Sequence, residues 1–253
     1  MTRIHRIDYE GKPRHVVEAA GSTRLVEGDL FGSWQPGDAV RLDDHRRLAP
    51  LEPSKIVAIG RNYKDHAAEL GNPLPPEPLL FLKPPSAIVG PGELVVIPPG
   101  VGRVDHEAEL AVVIGARARH VAQADAHRCV FGLTCANDVT ARELQKKDVQ
   151  FTRGKGFDTF LPLGPAIVTG LDYRAPGGLL VEGLVNGELR QSAPTSALIF
   201  SIDYLIAFVS AVMTLLPGDI IITGTPAGVG PLKAGDSVTV RIAGVGELTN
   251  PVA

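Results

Sequence analysis

The chain has little cysteine and few aromatic residues. Two cysteines, Cys129 and Cys135, occur among 253 residues, and aromatic residues make up 5% of the chain. The two cysteines lie within one predicted strand, so their side chains cannot fold back on each other to form a disulfide bond. A chain without disulfide bonds suits a reducing compartment, and we expect it to act in the cytoplasm.

The chain also has no large excess of charge and no long hydrophobic run. Its formal net charge is -3, and no basic cluster is interleaved with aromatic residues, so we expect no nucleic-acid partner. The N-terminus lacks the apolar core of a signal peptide. The longest apolar segment, residues 204–216, contains Ser210 and Thr214 and falls short of the roughly 20 residues that span a bilayer. We therefore expect no membrane partner.

Glycine and proline, in contrast, are abundant, with 28 and 21 residues. They separate mostly short apolar runs, which favours many strands and turns over a helical bundle. We predict a β-rich α+β fold. Pro50 and Pro53 mark a boundary between a small N-terminal domain, residues 1–53, and a main domain, residues 54–253.

Local patterns predict the individual elements. We expect strands at residues 4–9, 15–19, 55–60, 79–83, 108–114, 130–136, 163–168, 180–185, 220–223 and 237–242. We expect helices at residues 61–70, 140–149 and 201–216. Residues 35–38 predict a turn, residues 71–78 predict a loop, and Asn186-Gly187 predicts a β-hairpin.

Three carboxylates stand at the ends of predicted apolar strands, where a charge is costly. The period of two in a strand places Glu107 and Glu109 on one face, and Asp138 follows the apolar residues 129–136. Oxygen ligands without a Cys or His doublet favour Mg²⁺ first, then Mn²⁺ or Ca²⁺. The alternative is that both glutamates are solvated and that Asp138 is only a helix N-cap.

Two pairs of polar residues have helical spacing. His66 and Glu69 share a helix face, and a carboxylate that holds one imidazole nitrogen leaves the other as a base. On the next predicted helix, Arg142 and Gln145 share a face with Asp138, and Arg142 suits a substrate carboxylate. The alternatives are an exposed His–Glu pair and an Asp138–Arg142 ion pair within the helix.

Two glycine-containing segments offer anion-binding groups. Lys155 lies between Gly154 and Gly156, where a ligand can approach closely and the ammonium could stabilise an oxyanion; a surface lysine is the alternative. Residues 223–230 follow an apolar strand and offer backbone amides and a hydroxyl to a carboxylate. Pro226 and the absence of a following helix disfavour a nucleotide site there.

Together these segments resemble the fumarylacetoacetate hydrolase family over about residues 54–250. Five motifs in one order carry the resemblance: Gly60-Arg61-Asn62-Tyr63 with His66 and Glu69, Glu107-Ala108-Glu109, Asn137-Asp138-Val139-Thr140-Ala141-Arg142 with Gln145, Lys155-Gly156-Phe157-Asp158-Thr159, and Thr223-Gly224-Thr225-Pro226-Ala227-Gly228-Val229-Gly230. Gly156 and Glu143 depart from the residues that many relatives carry at those positions.

The resemblance implies a fold, a site and an assembly. It implies a roll of mixed β-sheets, dimers or higher homo-oligomers, and Mg²⁺ or Mn²⁺ held by Glu107, Glu109 and Asp138. It implies that His66 and Glu69 are a base dyad on a lid helix and that Lys155 holds the oxyanion. We expect substrate contacts from Arg61, Asn62, Tyr63, Arg142, Gln145 and Thr225.

The resemblance also implies a substrate class. We expect an enzyme that acts on a small 2-oxo or 2-hydroxydienoic dicarboxylate through a metal-stabilised enolate. The overall pattern is most similar to the branch of 2-hydroxyhepta-2,4-diene-1,7-dioate isomerases and 5-oxopent-3-ene-1,2,5-tricarboxylate decarboxylases of homoprotocatechuate catabolism. The alternatives are an acylpyruvate or fumarylpyruvate hydrolase, an oxaloacetate decarboxylase, and a non-catalytic protein that binds a metal and a carboxylate.

Overall fold

The computed structural model describes residues 1–69, 71 and 73–253 of the chain and confirms a β-rich fold. The strands are β1 (Thr2–Tyr9), β2 (Lys12–Ala19), β3 (Ser22–Gly28), β4 (Trp34–Ala39), β5 (Arg47–Leu48), β6 (Ile56–Gly60), β7 (Leu79–Lys83), β8 (Ile88–Val89), β9 (Val104–His106), β10 (Ala108–Ile114), β11 (Val130–Asn137), β12 (Thr140–Ala141), β13 (Leu161–Thr169), β14 (Leu180–Val185), β15 (Glu188–Pro194), β16 (Ile220–Ile222), β17 (Gly230–Pro231), β18 (Ser237–Ile242) and β19 (Gly246–Pro251).

Helices are short in the described part of the chain. The α-helices are α1 (Lys64–Glu69), α2 (Arg142–Lys147), α3 (Thr152–Lys155) and α4 (Ile202–Val212). Short 3-10 helices are Leu42–Asp44, Pro85–Ala87, Gln123–Cys129 and Thr195–Ala197. No helix among the described residues has the length and apolarity to cross a bilayer.

The three predicted helices exist, but each is shorter than the sequence suggested. Helix α4 is capped by the Ser201 hydroxyl, which accepts a hydrogen bond from the backbone N–H of Tyr204. It ends before Met213, which is extended, because Leu215 exchanges backbone hydrogen bonds with Ala118 and draws the chain away. Of the predicted helix over residues 61–70, Leu70 lies outside the described residues, as does Asn72 of the predicted loop.

One large, curled mixed sheet organises the molecule. Its strand order is β4-β3-β2-β1-β13-β11-β10-β16-β6-β7. Neighbouring strands along this path are antiparallel except β16 and β6, which are parallel. Because β1 pairs with β13, the N-terminal strands continue the sheet of the rest of the chain.

The central strand β10 is buried on both faces. Leu110 and Val112 belong to one core cluster, which also contains residues of α4, whereas Ala111 and Val113 belong to a second cluster. A strand covered on both sides is apolar throughout instead of alternating. A carboxylate at the start of such a strand is therefore shielded from solvent, as Glu109 is.

Two smaller sheets complete the fold, in the orders β12-β9-β17 and β15-β14-β18-β19. The predicted hairpin at Asn186-Gly187 is confirmed. It joins β14 to β15, and both turn residues have positive φ, 54° and 81°, as the primed turns of two-residue hairpins require.

Two local predictions were wrong. Residues 35–38 form part of strand β4 instead of a turn. Pro36 is tolerated there because β4 is the edge strand of the large sheet, where a missing N–H costs no ladder hydrogen bond. Cys129 ends a 3-10 helix instead of lying on strand β11, and both cysteines are free and buried.

The sheet topology brings several strand ends to one edge. The start of β10 pairs with the end of β11, and the chain beyond β16 also returns to this end of β10. The end of β6 runs parallel to β16 and reaches the same edge. The segments that follow β6, β11 and β16 and the one that precedes β10 therefore converge.

Candidate active site

Three buried carboxylates lie at this convergence. One oxygen atom each from Glu107, Glu109 and Asp138 lies within 4.8 Å of the others. The alternative in which the glutamates are solvated is wrong, because all three side chains are buried. Asp138 is not a helix cap: helix α2 has Ala141 at its N-cap position, without a side-chain capping bond.

Lys155 lies among these carboxylates and is not a surface lysine. Its ammonium is 2.7 Å from Glu107 Oε2 and 2.5 Å from Asp138 Oδ2. Burial disfavours the charged amine, but the negative charges of Asp138 and Glu107 outweigh burial and raise the pKa of Lys155. The amine is therefore a charged hydrogen-bond donor at the centre of the site.

A second buried lysine was missed in the sequence. Lys83, the last residue of β7, donates to Asp138 Oδ1 at 2.6 Å and to the backbone carbonyl of Lys155. Burial lowers its pKa, although Asp138 partly opposes this effect. The sequence does contain an indication of this role: Lys83 is a charged residue directly after the apolar run Leu79-Leu80-Phe81-Leu82. A charge at the end of an apolar run is also the feature that identified the carboxylates.

Arg142 is held by ion pairs with two buried carboxylates. Its Nε lies 2.7 Å from Asp105 Oδ2, and its Nη1 lies 2.6 Å from Glu107 Oε1. The alternative Asp138–Arg142 ion pair does not occur between these described residues. Asp105 was missed, although the period of two through Glu107 and Glu109 extends back to it.

The guanidinium of Arg142 retains one free nitrogen. Nη1 also donates to Gln145 Oε1 at 3.1 Å, whereas Nη2 is buried and has no hydrogen-bond partner within the described part of the chain. Burial disfavours the charge on Arg142, but Glu107 and Asp105 outweigh burial and raise its pKa. A fixed cation with an unused donor suits a substrate carboxylate.

The site contains several buried carboxylates close to buried cationic side chains. Four buried carboxylates (Asp105, Glu107, Glu109 and Asp138) accompany three buried cationic groups (Lys83, Arg142 and Lys155). Among the described residues, Glu109 has no ion pair and accepts one hydrogen bond, 2.7 Å long, from the N–H of Gly224. Burial and the neighbouring Asp138 and Glu107 charges raise the pKa of Glu109 well above its usual value. Glu107, Glu109 and Asp138 would hold a hard cation through these clustered oxygen atoms, and its positive charge would favour the ionised form of Glu109.

His66 and Glu69 lie on α1 above this cluster. His66 Nδ1 is 3.3 Å from Glu69 Oε2; the His66 side chain is buried, whereas about one third of the Glu69 side chain is exposed. The alternative of a fully exposed pair is therefore wrong for His66. The carboxylate of Glu69 also accepts the backbone N–H of Gly228, at 3.1 and 3.2 Å, so α1 is tied to the loop after β16.

A cavity of about 380 Å³ opens over the cluster. Most residues predicted from the sequence line it: Arg61, His66, Glu107, Glu109, Asp138, Arg142, Gln145, Lys155 and Thr225. The hydroxyl of Thr225 donates to the carbonyl of Ala108 at 2.8 Å and accepts from Gln191 at 2.6 Å, so its proton is already used within the protein.

Asn62 and Tyr63, both predicted to contact substrate, do not line this cavity. Asn62 is buried, and its amide bonds the backbone carbonyls of Thr223 and Phe200 and the N–H of Phe200. Tyr63 is also buried, and its hydroxyl has no partner within the described residues. Burial and the charge of Glu109 raise the pKa of Tyr63.

Substitution of Asn62 by alanine tests this placement. It leaves two carbonyls and one N–H of the backbone without partners, at roughly 1–3 kcal/mol for each buried group. We expect a loss of about 3 kcal/mol, which lowers Tm by roughly 6–12 °C in a chain of this size. Scanning calorimetry measures the shift. A raised KM at unchanged Tm would instead make Asn62 a substrate contact.

The chain resembles known enzymes in both sequence and fold. The family model described as fumarylacetoacetate (FAA) hydrolase C-terminal matches residues 55–253. The chain belongs to the fumarylacetoacetate hydrolase family. The division of residues 1–53 into a separate domain stays a prediction, because the family match covers only the main part of the chain.

Three relatives show the range of activities in this family. The crystal structure of 2-hydroxyhepta-2,4-diene-1,7-dioate isomerase from Mycobacterium marinum is 42% identical, with a TM-score of 0.91, covering 100% of this chain and 98% of that chain. Human mitochondrial oxaloacetate tautomerase FAHD2A is 46% identical over 81% of this chain and 68% of its own length. Maleylpyruvate hydrolase from Sphingobium sp. SYK-6, in complex with manganese(II) and pyruvate, is 34% identical, with a TM-score of 0.83, covering 99% and 98%.

Proposed function

We propose that this chain is a divalent-metal-dependent enzyme that isomerises a small 2-oxo or 2-hydroxydienoic dicarboxylate through an enolate. The observation that carries the proposal is the buried contact of Lys155 with Glu107 and Asp138, beside Glu109, in a cavity lined by His66. Oxygen-only ligands favour Mg²⁺ first and Mn²⁺ next. A bound cation of this kind supplies Lewis-acid stabilisation of developing negative charge.

The cationic side chains of the cavity would bind and orient the substrate. Arg142 offers its unused Nη2 to one carboxylate, and Arg61 lines the same cavity and suits a second carboxylate. Lys155, held rigidly by two carboxylates, donates to the oxygen on which charge develops. The cavity of about 380 Å³ lies at the small end of the range for ligand pockets, roughly 300–1,000 Å³.

The dyad on α1 would move the proton. Glu69 bonds His66 Nδ1 and leaves Nε2 as the base, which moves one proton between the 2-oxygen of the substrate and a carbon of its conjugated chain, so that the hydroxydiene (enol) and 2-oxo forms interconvert. No atom is gained or lost in this step, so an isomerisation needs no water. The similarity to the dioate isomerase and to oxaloacetate tautomerase supports this type of reaction.

A second candidate function is hydrolysis of a carbon–carbon bond in an acylpyruvate. The similarity to maleylpyruvate hydrolase favours it, and a His–Glu dyad also suits activation of water. Decarboxylation of oxaloacetate or of the tricarboxylate named above passes through the same enolate. The outcome therefore depends on the position of the substrate relative to His66.

An activity panel with metal removal separates these reactions. Purified protein with Mg²⁺ or Mn²⁺ is assayed on the seven-carbon hydroxydienedioate, oxaloacetate, acetylpyruvate and fumarylpyruvate, each with and without EDTA. We expect turnover of the seven-carbon acid and its loss by at least about 10²-fold with EDTA, since the Lewis acid contributes several kcal/mol. Turnover confined to acylpyruvates would establish the hydrolase, and turnover confined to oxaloacetate would establish a decarboxylase or tautomerase.

An exchange experiment tests for a non-catalytic binding protein. An enolising enzyme exchanges the C3 protons of oxaloacetate or pyruvate for deuterium when Mg²⁺ is added in D₂O, whereas a protein that only binds the acid does not. NMR measures this exchange.

We also propose that the chain assembles as a homodimer or higher homo-oligomer, which light scattering tests.

A further inference from the structure

The side chain of Gln191, on strand β15, is buried between the segment that bears Glu107 and Glu109 and the loop that follows β16. Its Oε1 accepts from His106 Nδ1 at 2.9 Å and from the N–H of Ala108 at 3.0 Å. Its Nε2 donates to Thr225 Oγ1 at 2.6 Å and to the carbonyl of Pro226 at 2.7 Å. All the hydrogen-bonding positions of this amide are therefore used, and they connect β15 to two other segments of the chain, residues 106–108 and 225–226.

This network fixes the backbone on both sides of Ala108. Gln191 accepts the N–H of the peptide that follows Glu107. The Thr225 hydroxyl donates to the carbonyl of the peptide that precedes Glu109. Because Gln191 also bonds that hydroxyl, the three groups form a closed ring. The orientation of two candidate metal ligands thus depends on one amide that does not itself line the cavity.

The same side chain supports the loop that receives the helix above the cavity. Gly228 donates its N–H to Glu69 on α1, and it has φ +101°. A β-carbon at Gly228 would lie 1.9 Å from the carbonyl oxygen of Arg190, so this loop packs directly on the backbone of β15. The two bonds from Gln191 to Thr225 and Pro226 hold the preceding part of this loop in place.

We propose that Gln191 is a positioning residue that couples the metal-binding carboxylates to the loop on which α1 docks. This inference rests on the proposed metal-dependent function. Outer hydrogen-bond partners of metal ligands typically affect metal affinity by about 10–100-fold when they are removed. Gln191 acts one step further out, through the backbone that bears Glu107 and Glu109, and through the loop that bears Gly228.

Substitution of Gln191 by methionine tests the proposal, because methionine keeps the approximate volume and removes all four hydrogen bonds. We expect Mn²⁺ affinity, measured by electron paramagnetic resonance of free Mn²⁺, to fall by about tenfold. We expect kcat to fall by a similar factor, with a smaller change in KM, because carboxylate recognition by Arg142 does not involve this amide.

Asn250 provides a matched control. It is also a buried amide, and it donates to the backbone carbonyls of Gly90 and Glu93, away from the lining of the cavity. Asn250→Leu should lower Tm as Gln191→Met does, while Mn²⁺ affinity and kcat stay within about twofold of the unsubstituted protein. Equal losses of affinity in both variants would overturn the proposal, and so would unchanged affinity and kcat in Gln191→Met.

If Gln191→Met does not fold, Gln191→Glu is used to test the proposal instead. It keeps an acceptor for Ala108 but loses both donated bonds to the loop. We expect kcat to fall about tenfold while Mn²⁺ affinity changes less; wild-type kcat in this variant would overturn the proposal. If the unsubstituted protein itself binds no Mn²⁺, the proposed function is wrong. If the unsubstituted protein and the Gln191 variants bind Mn²⁺ equally and have equal kcat, only the role proposed for Gln191 is wrong.

Discussion

Replacement of Glu107 by glutamine is expected to abolish metal-dependent turnover while the fold persists. Glu107 is a candidate metal ligand and also accepts bonds from Lys155 and Arg142. Loss of about 4 kcal/mol of Lewis-acid stabilisation corresponds to a decrease in kcat of roughly 10³-fold. Glutamine keeps the shape and one acceptor oxygen, whereas alanine would leave two buried cations facing a cavity.

The Glu107 experiment measures Mn²⁺ binding and kcat together. Both should be lost in Glu107→Gln, and circular dichroism should show an unchanged strand content. Glu182→Gln is the control, because Glu182 on β14 pairs with Arg241 and does not line the cavity; its activity should stay unchanged. Full activity of Glu107→Gln with Mg²⁺ would contradict the metal site.

Replacement of Lys155 by methionine should separate catalysis from metal binding. The ammonium is expected to stabilise the developing oxyanion, and loss of one such donor typically lowers kcat by about 10²–10³-fold. Mn²⁺ affinity should be unchanged or higher, because Glu107 and Asp138 no longer bind a competing cation. Each of these carboxylates keeps another cationic partner, Arg142 or Lys83, so the variant should fold.

Lys55→Met provides the comparison for the lysine variant. Lys55 forms an ion pair with the buried carboxylate of Asp219, and neither residue lines the cavity. We expect Lys55→Met to lower Tm, because the buried carboxylate of Asp219 loses its cationic partner. The kcat of this variant should stay within about twofold of that of the unsubstituted protein. A Lys155→Met variant with wild-type kcat would show that Lys155 has only a structural role.

The sequence alone determined the features that depend on local spacing. The period of two predicted that Glu107 and Glu109 lie together, and the end of an apolar run identified Asp138; the structure brings these three carboxylates within 4.8 Å of one another. The pair Asn186-Gly187 determined its hairpin, because both residues tolerate positive φ. The five ordered motifs determined the family, which the match to residues 55–253 shows.

Only the tertiary structure decided the surroundings of these residues. Lys83 and Gln191 approach from strands β7 and β15, which are far from residues 105–109 in sequence, so no local period predicts their contacts. Asn62 turned inward to bond the backbone near Phe200, although it lies within a recognisable motif. Spacing along the chain records which neighbours share a face, whereas the pairing of distant strands determines which charges are buried together and which amides hold them.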